Sequence, residues 1–291
     1  MSNVNHRPPR LFKYLHPSRI DVLERARIRF SPPHAFNDPF DLKPNIQGFV
    51  SRESWNRNFM GALPKAIDEE YARLPESVRA TLPRELVQAQ AHAKFPDLVA
   101  ESYGFAQLLP SLFRSMVEIH FEKMVGILSL TEKPDNLLMW AHYADSHQGL
   151  VIEVDPTHGF FNRRRSENDE FLQLRQVLYR NERPTLNPSE DSSFETFLTK
   201  GRDWEYEQEW RMLVPLSEAT EVIRIPSIDV HLFAFPKSVI KSVIVGARAS
   251  QETEGRVVDI VLNDPEYRNV RVQRASADLT QYKLLFRALK D

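Results

Sequence analysis

The stretch Trp204-Glu205-Tyr206-Glu207-Gln208-Glu209-Trp210-Arg211 decides how the chain is read. Taken as a strand, it turns alternate side chains to opposite faces. Trp204, Tyr206, Gln208 and Trp210 then share one face, and Glu205, Glu207, Glu209 and Arg211 the other. Carboxylates stacked on one face repel unless a cation or a hydrogen-bond donor meets them. Arg211 balances one; the others call for solvent, further basic residues, a metal ion or a hydroxyl-rich ligand. Met212-Leu213-Val214 follow before Pro215, so the pattern predicts a strand from Glu205 to Val214. A salt-bridged surface strand accounts for the run without any function. As a helix, the run would make Glu207 and Arg211 an ordinary i,i+4 pair. In the functional reading Glu207 and Glu209 reach one substrate together. One carboxylate holds a ribose hydroxyl or steadies a developing cation, and the other orients or deprotonates an acceptor.

Upstream lies the clearest strand–helix–strand unit. Val125 to Leu130 reads as a strand and Leu150 to Val154 as another. Between them Asp135 is placed to cap a helix from Asn136 to about Ser146, with Gly149 at its exit. Trp140, Tyr143 and His147 fall on one face of that helix. Such a face serves a core helix with two aromatics before it serves a site. In the second case Trp140 and Tyr143 wall a nucleotide base or nicotinamide ring, and His142 or His147 holds a polar group. No His-Glu-x-x-His is present, and His142 and His147 lack the spacing of a helical zinc pair.

Nearer the N-terminus, Leu11 to His16 reads as a strand, Arg19 to Arg25 as a helix capped by Ser18, and Arg27 to Ser31 as a second strand. Pro32-Pro33 stops it. The loop His34 to Asp41 carries the turn signal Asn37-Asp38-Pro39. Its phenylalanines anchor a turn, or the loop frames a cleft with Ser31, Asn37 or Asp38 pointing inward. From Glu53 to about Lys123 the composition changes to Ala, Glu, Gln, Leu and Arg punctuated by prolines. That region predicts several short helices inserted at 53–123. Further strands are expected at Gln176–Arg180, Glu221–Ile225, Val239–Val245 and Val270–Gln273, with a helix from Gln251 to Leu262. Irregular mixing of strands and helices predicts an α+β fold, one domain over 11–291 built on a mixed or split β-sheet, with 1–10 as a flexible N-terminus.

Composition narrows the function classes. The 291 residues carry a formal charge of -2, which gives no global case for nucleic-acid or membrane affinity. The absence of cysteine removes disulfides, thiolate catalysis and Cys-based zinc sites. Neither a membrane-length apolar run nor an apolar signal core occurs, so a cytoplasmic protein is expected. The Rossmann and phosphate-loop glycine patterns and the Gly-x-Ser-x-Gly elbow are absent.

Together these segments resemble a mostly bacterial family, domain of unknown function twenty-nine seventy-one. The resemblance rests on Phe12-Lys13-Tyr14 and on Phe30-Ser31-x-Pro33-x-x-Phe36-Asn37-Asp38-Pro39-Phe40-Asp41. It continues through Ser129-Leu130, Met139-Trp140-Ala141-His142-Tyr143-Ala144 and Gly149. Lys200 and Trp204-x-Tyr206-Glu207-x-Glu209-Trp210-Arg211 complete it. The order of elements also looks like the ADP-ribosyltransferase fold. That resemblance implies Tyr14 or His16 on the first strand, Ser31 on the second, and Glu207-Gln208-Glu209 in the position of a catalytic Glu-x-Glu.

The leading expectation is therefore a NAD-dependent ADP-ribosyltransferase-like enzyme, a bacterial toxin or phage-defence effector. Glu207 and Glu209 are the catalytic candidates. Tyr14, His16, Ser31, Asn37, Trp140, His142, Tyr143 and Arg211 are the candidates for holding NAD, which is a substrate here. The expected partners are a nucleotide-like small molecule and a protein or nucleic-acid acceptor, with no membrane and no metal. One alternative is a magnesium-dependent nuclease or phosphohydrolase using Asp38, Asp41, Glu207 and Glu209. The other is a binding module without chemistry.

Overall fold

Short runs of β-branched and aromatic residues between turn formers become strands. The computed structural model describes residues 7–43, 45–46, 52–106, 123–167, 169–186, 194–226 and 228–290. In chain order the strands are β1 (Leu11–Leu15), β2 (Arg27–Phe30), β3 (Asn45–Ile46), β4 (Val125–Thr131) and β5 (Leu150–Val154). Next come β6 (Leu174–Gln176), β7 (Leu178–Arg180), β8 (Thr185–Leu186), β9 (Thr199–Gly201) and β10 (Glu209–Pro215). The last are β11 (Glu221–Ile225), β12 (Ile228–Ala234), β13 (Ile240–Val245), β14 (Arg271–Ala277) and β15 (Leu284–Lys290). The α-helices are α1 (Asp21–Arg25), α2 (Arg52–Arg73), α3 (Glu76–Arg79), α4 (Arg84–Ala106), α5 (Leu137–Tyr143) and α6 (Gln251–Asn263).

The chain divides into two compact units. One comprises Pro44–Ile119 and Pro184–Thr196 and contains α2, α3 and α4. Helices form here, but α2 and α4 are long where short ones were expected, because Pro64 and Pro96 lie inside them and do not end them. A proline removes one backbone hydrogen bond, a loss that a helix of 22 or 23 residues survives. Tyr71 fastens the unit by donating its hydroxyl to the Leu82 carbonyl at 2.9 Å.

The other unit comprises Met1–Lys43, His120–Arg183 and Phe197–Asp291. Its main sheet runs β15-β14-β13-β5-β1-β4-β10-β6, and a second sheet runs β11-β12-β2. All pairings in these two sheets are antiparallel except β13 with β14. A parallel pair needs a crossover, and α6 supplies it. Ser250 caps α6 by accepting from Thr253 N at 3.0 Å, and Val257 and Val261 turn into the core. The architecture is α+β with a mixed sheet.

One detail of pairing positions the site. β4 pairs with β10 over seven residue pairs, from Val125↔Pro215 to Thr131↔Glu209. Its opposite edge meets β1 only at Phe12↔Thr131, and Ser31, just past β2, only at Ile127. Ser129 lies between those two contacts, with its backbone groups on the same open edge. Lys13 fills part of the gap by donating its ammonium to the Ser129 carbonyl at 2.9 Å.

Several local expectations are corrected. α5 ends at Tyr143, because Asp145, Ser146 and His147 adopt φ of 48°, 54° and 69°. Asn136, rather than Asp135, caps it by accepting from Met139 N at 3.1 Å. At the first helical turn His16 takes the capping role given to Ser18, with its Nδ1 accepting from Ser18 N at 3.1 Å. The expected strand Gln176–Arg180 divides into β6 and β7, and β12 and β15 were not anticipated. The acidic run is not one strand. Arg202–Glu207 forms a 3-10 turn, Gln208 is left-handed at φ 43°, and the strand begins at Glu209. The alternation of faces from Trp204 to Arg211 therefore fails at Gln208.

Candidate functional site

A cavity of about 340 Å³ opens where, among the described residues, the β4 edge is unpaired between its contacts with Ser31 and β1. β1 contributes Phe12, Lys13 and Tyr14, and the segment after β2 contributes Ser31, Phe36 and Asn37. β4 adds Ser129 and Thr131, α5 adds Met139, His142 and Tyr143, and the acidic run and β9 add Glu207, Glu209 and Lys200. Seven of the sequence candidates thus meet in one hollow: Tyr14, Ser31, Asn37, His142, Tyr143, Glu207 and Glu209.

Glu207 and Glu209 converge even though the strand between them is broken. Lys200 draws them together, with its Nζ 2.7 Å from Glu207 Oε2 and 3.4 Å from Glu209 Oε2. The ammonium also lies 4.6 Å from the centroid of the Trp204 ring, on which it makes a cation–π contact. Two hydrogen bonds fix the approach of the turn: Thr131 donates its hydroxyl to the Glu207 carbonyl, and Glu209 N donates to Tyr179 Oη at 2.8 Å.

The two carboxylates differ in what else they meet. Glu209 accepts from Arg211 Nε at 2.7 Å and from its Nη2 at 2.8 Å. Arg211 makes two further bonds to Asp41, at 2.8 and 2.6 Å. Burial alone would raise the Glu209 carboxyl; the charges of Arg211 and Lys200 reverse this and hold it well below the ordinary carboxylate range. Glu207 accepts from Tyr143 Oη at 2.6 Å instead of from an arginine. Burial lifts its pKa, the Glu209 charge adds to the rise, and Lys200 offsets only part of it. Two adjacent carboxyls are thereby split into one held ionised and one disposed to take up a proton, a division that suits acid–base work. Tyr143 is pushed up by burial and by the Glu207 charge, so it acts as a donor, and Asn37 Nδ2 supports its oxygen at 3.3 Å.

Three sequence candidates lie outside the cavity wall. Trp140 is fully buried, donates Nε1 to the Pro134 carbonyl at 2.8 Å and packs edge-on to Tyr14 at 5.3 Å. It is a core residue behind the wall. Its ring still stacks on His147 at 6.1 Å, although His147 is past the helix end. Arg211 is fully buried behind Glu209. His16 is exposed and faces Asp145 at 3.6 Å. The alternative magnesium ligand Asp38 bonds the Phe40 amide at 2.9 Å, and Asp41 faces Arg211.

Lys13 and Lys200 were not among the sequence candidates for the site. Lys200 stood inside the quoted motif and Lys13 beside Tyr14, but a single lysine carries no spacing signal. Burial brings Lys13 down to about 8, with the nearby Arg19 and Arg29 charges pushing the same way and Glu209 pushing back.

The class defined is an α+β protein with a buried, charge-divided pocket in a gap of its main sheet. Residues 139–212 match the model of a family described as a protein of unknown function (DUF2971). The matched stretch runs from Met139 at the start of the pocket's helical wall to Met212 just past Arg211, so it takes in Tyr143, Lys200, Glu207 and Glu209. No curated protein and no solved structure matches the chain.

Proposed function

We propose that the cavity binds NAD and that the protein transfers its ADP-ribosyl group. The observation that carries this reading is the meeting of Tyr14, Ser31 and Tyr143 with Glu207 around one hollow. Breaking the bond from ribose to nicotinamide lets the neutral ring leave with the bonding pair and builds positive charge on the ribose. A carboxylate fixed at that point favours the transition state over the ground state. Glu207 is suited to this because Tyr143 and Lys200 hold both of its oxygens in place. The acceptor then bonds the anomeric carbon and releases its proton. The raised pKa of Glu207 makes it the proton's destination. Glu209 does not share the chemistry in this scheme. It keeps Arg211 and Lys200 in position. The acceptor is a protein or nucleic acid, as suits a toxin or phage-defence effector of bacterial cytoplasm.

A magnesium-centred reading has less support. Asp41 and Glu209 face Arg211 with both oxygens each, and among the described residues no three His, Asp or Glu side chains are grouped to hold a metal.

Incubating the protein with NAD and following nicotinamide by proton NMR tests the proposal. Release, with or without a supplied protein or RNA acceptor, is expected. Absence of NAD binding by calorimetry, together with absence of nicotinamide release under all of these conditions, would remove the reading.

A further inference from the structure

The cavity has a second, basic side. β2 buries Ile28 and Phe30, which leaves Arg29 on the same face as Ser31, a cavity residue. Lys13 lines the cavity from β1, and Arg19 stands on the turn Pro17–Ile20. Lys13 stands between two sets of charges: Glu209 and Glu207 favour its charged form, and Arg19 and Arg29 disfavour it, while Arg19 also disfavours the charged form of Arg29.

Their hydrogen-bonding capacity is largely unused. Arg19 Nε donates to Asp21 at 2.9 Å, but its Nη2 is buried without a partner among the described residues. Arg29 Nε is also buried and unpartnered, and Arg29 makes no ion pair with a described residue. Among the described residues Lys13 bonds the Ser129 carbonyl, which leaves two ammonium hydrogens to donate. On β12, whose His231 is paired with Phe30, the buried Nδ1 of His231 also lacks a partner. Buried donors without acceptors are costly, and like charges in one place add to the cost. Elsewhere in the same unit buried cations are matched: Lys200 and Arg211 both have carboxylates.

We infer that Lys13, Arg19 and Arg29 form a binding subsite for a phosphoryl group at the edge of the cavity. A phosphate group supplies acceptors for the unpartnered donors and the counter-charge that Arg29, unlike Arg19 with its Asp21, lacks among the described residues; guanidinium groups match its geometry in pairs. The subsite goes beyond the ribosyl-transfer reading and does not depend on it, since any phosphate-bearing substrate would use it. It also divides the cavity by charge, with phosphate at the Lys13 end and the reacting bond at the Glu207 end.

The test uses inorganic pyrophosphate, so that it is separate from any turnover of NAD. Binding is followed by calorimetry and by the rise in melting temperature, against sodium chloride of equal ionic strength. Wild type is expected to bind saturably. Arg29→Gln and Lys13→Gln are each expected to weaken binding on the order of ten-fold or more, the size of a lost charge-assisted bond. Arg256→Gln, which alters an exposed arginine paired with Glu24, is expected to bind as wild type does. A second readout guards against misfolding: without ligand, Arg29→Gln is expected to melt no lower than wild type, because it relieves repulsion. An effect no greater than that of sodium chloride, equal binding by Arg29→Gln, or a large ligand-free destabilisation of that variant would each overturn the inference.

Discussion

Arg211 grips Asp41 across 170 residues of sequence with two parallel hydrogen bonds, at 2.8 and 2.6 Å. Both side chains are fully buried. The pair joins the Phe36–Asp41 loop to β10, and the same guanidinium holds Glu209. Removing the Asp41 charge takes two charge-assisted hydrogen bonds from Arg211 while Glu209 still holds it, which costs about 2–3 kcal/mol. Asp41→Asn should therefore lower unfolding stability by that order in urea titration. Arg211→Lys should also destabilise, since one ammonium cannot reproduce two paired contacts. Stability within about 1 kcal/mol of wild type in both variants contradicts the anchoring role.

Glu209 ties stability to pH. Its folded pKa lies below its unfolded value of 4.5, so its contribution is present above that value and is lost as pH falls through the folded one. Glu207 has the opposite sign: its folded pKa is raised, so its contribution is present at low pH and is lost as pH rises through the folded value. The stability gap between wild type and Glu209→Gln should shrink on acidification below 4.5. A gap that stays constant from neutral pH down to about pH 3 contradicts the assignment.

Tyr143 tunes Glu207. Its hydroxyl donates to the carboxylate and lowers a pKa that burial has raised. If Glu207 works in its ionised form, the acid limb of the rate profile lies above 4.5. In Tyr143→Phe that limb should move to still higher pH, with a lower plateau. An unshifted limb separates Tyr143 from the ionisation that governs the rate.

Two glycines hold the turn after α5. A Cβ on Gly149 would come within 2.1 Å of the Leu15 carbonyl oxygen, and one on Gly246 within 2.2 Å of that of His147. Neither obstacle is a flexible side chain. Gly149→Ala and Gly246→Ala should each lower the melting temperature, by several degrees or more. Gly255→Ala, with open space around it in α6, should not. Equal melting temperatures for all three would contradict the packing described.

The sequence made some of this legible and hid the rest for physical reasons. Apolar runs such as Val125–Leu130 and Leu150–Val154 mark strands because both are buried along their length, and the α+β class followed from their irregular spacing. The acidic run pointed to two glutamates that do line one hollow, but through a strand the backbone does not form there. Nothing in a glutamine announces a left-handed backbone, so the turn at Gln208 was invisible and Trp204 and Trp210 were placed together in error. Trp140 was misread because helical periodicity cannot tell a wall from the layer behind it. Lys13, Lys200 and Asp41 acquire their roles only from topology. The gap on β4 beside Ser129 exists because β1 and Ser31 each make a single pairing there, and no local pattern encodes that.

The most direct test replaces Glu207 by Gln and follows nicotinamide release from NAD beside the wild-type protein. Gln keeps the volume and one acceptor for Tyr143 but removes the charge and the proton site. The variant is expected to stay folded by circular dichroism while its release rate falls about 10²-fold or more. A folded variant that releases nicotinamide at the wild-type rate would contradict it.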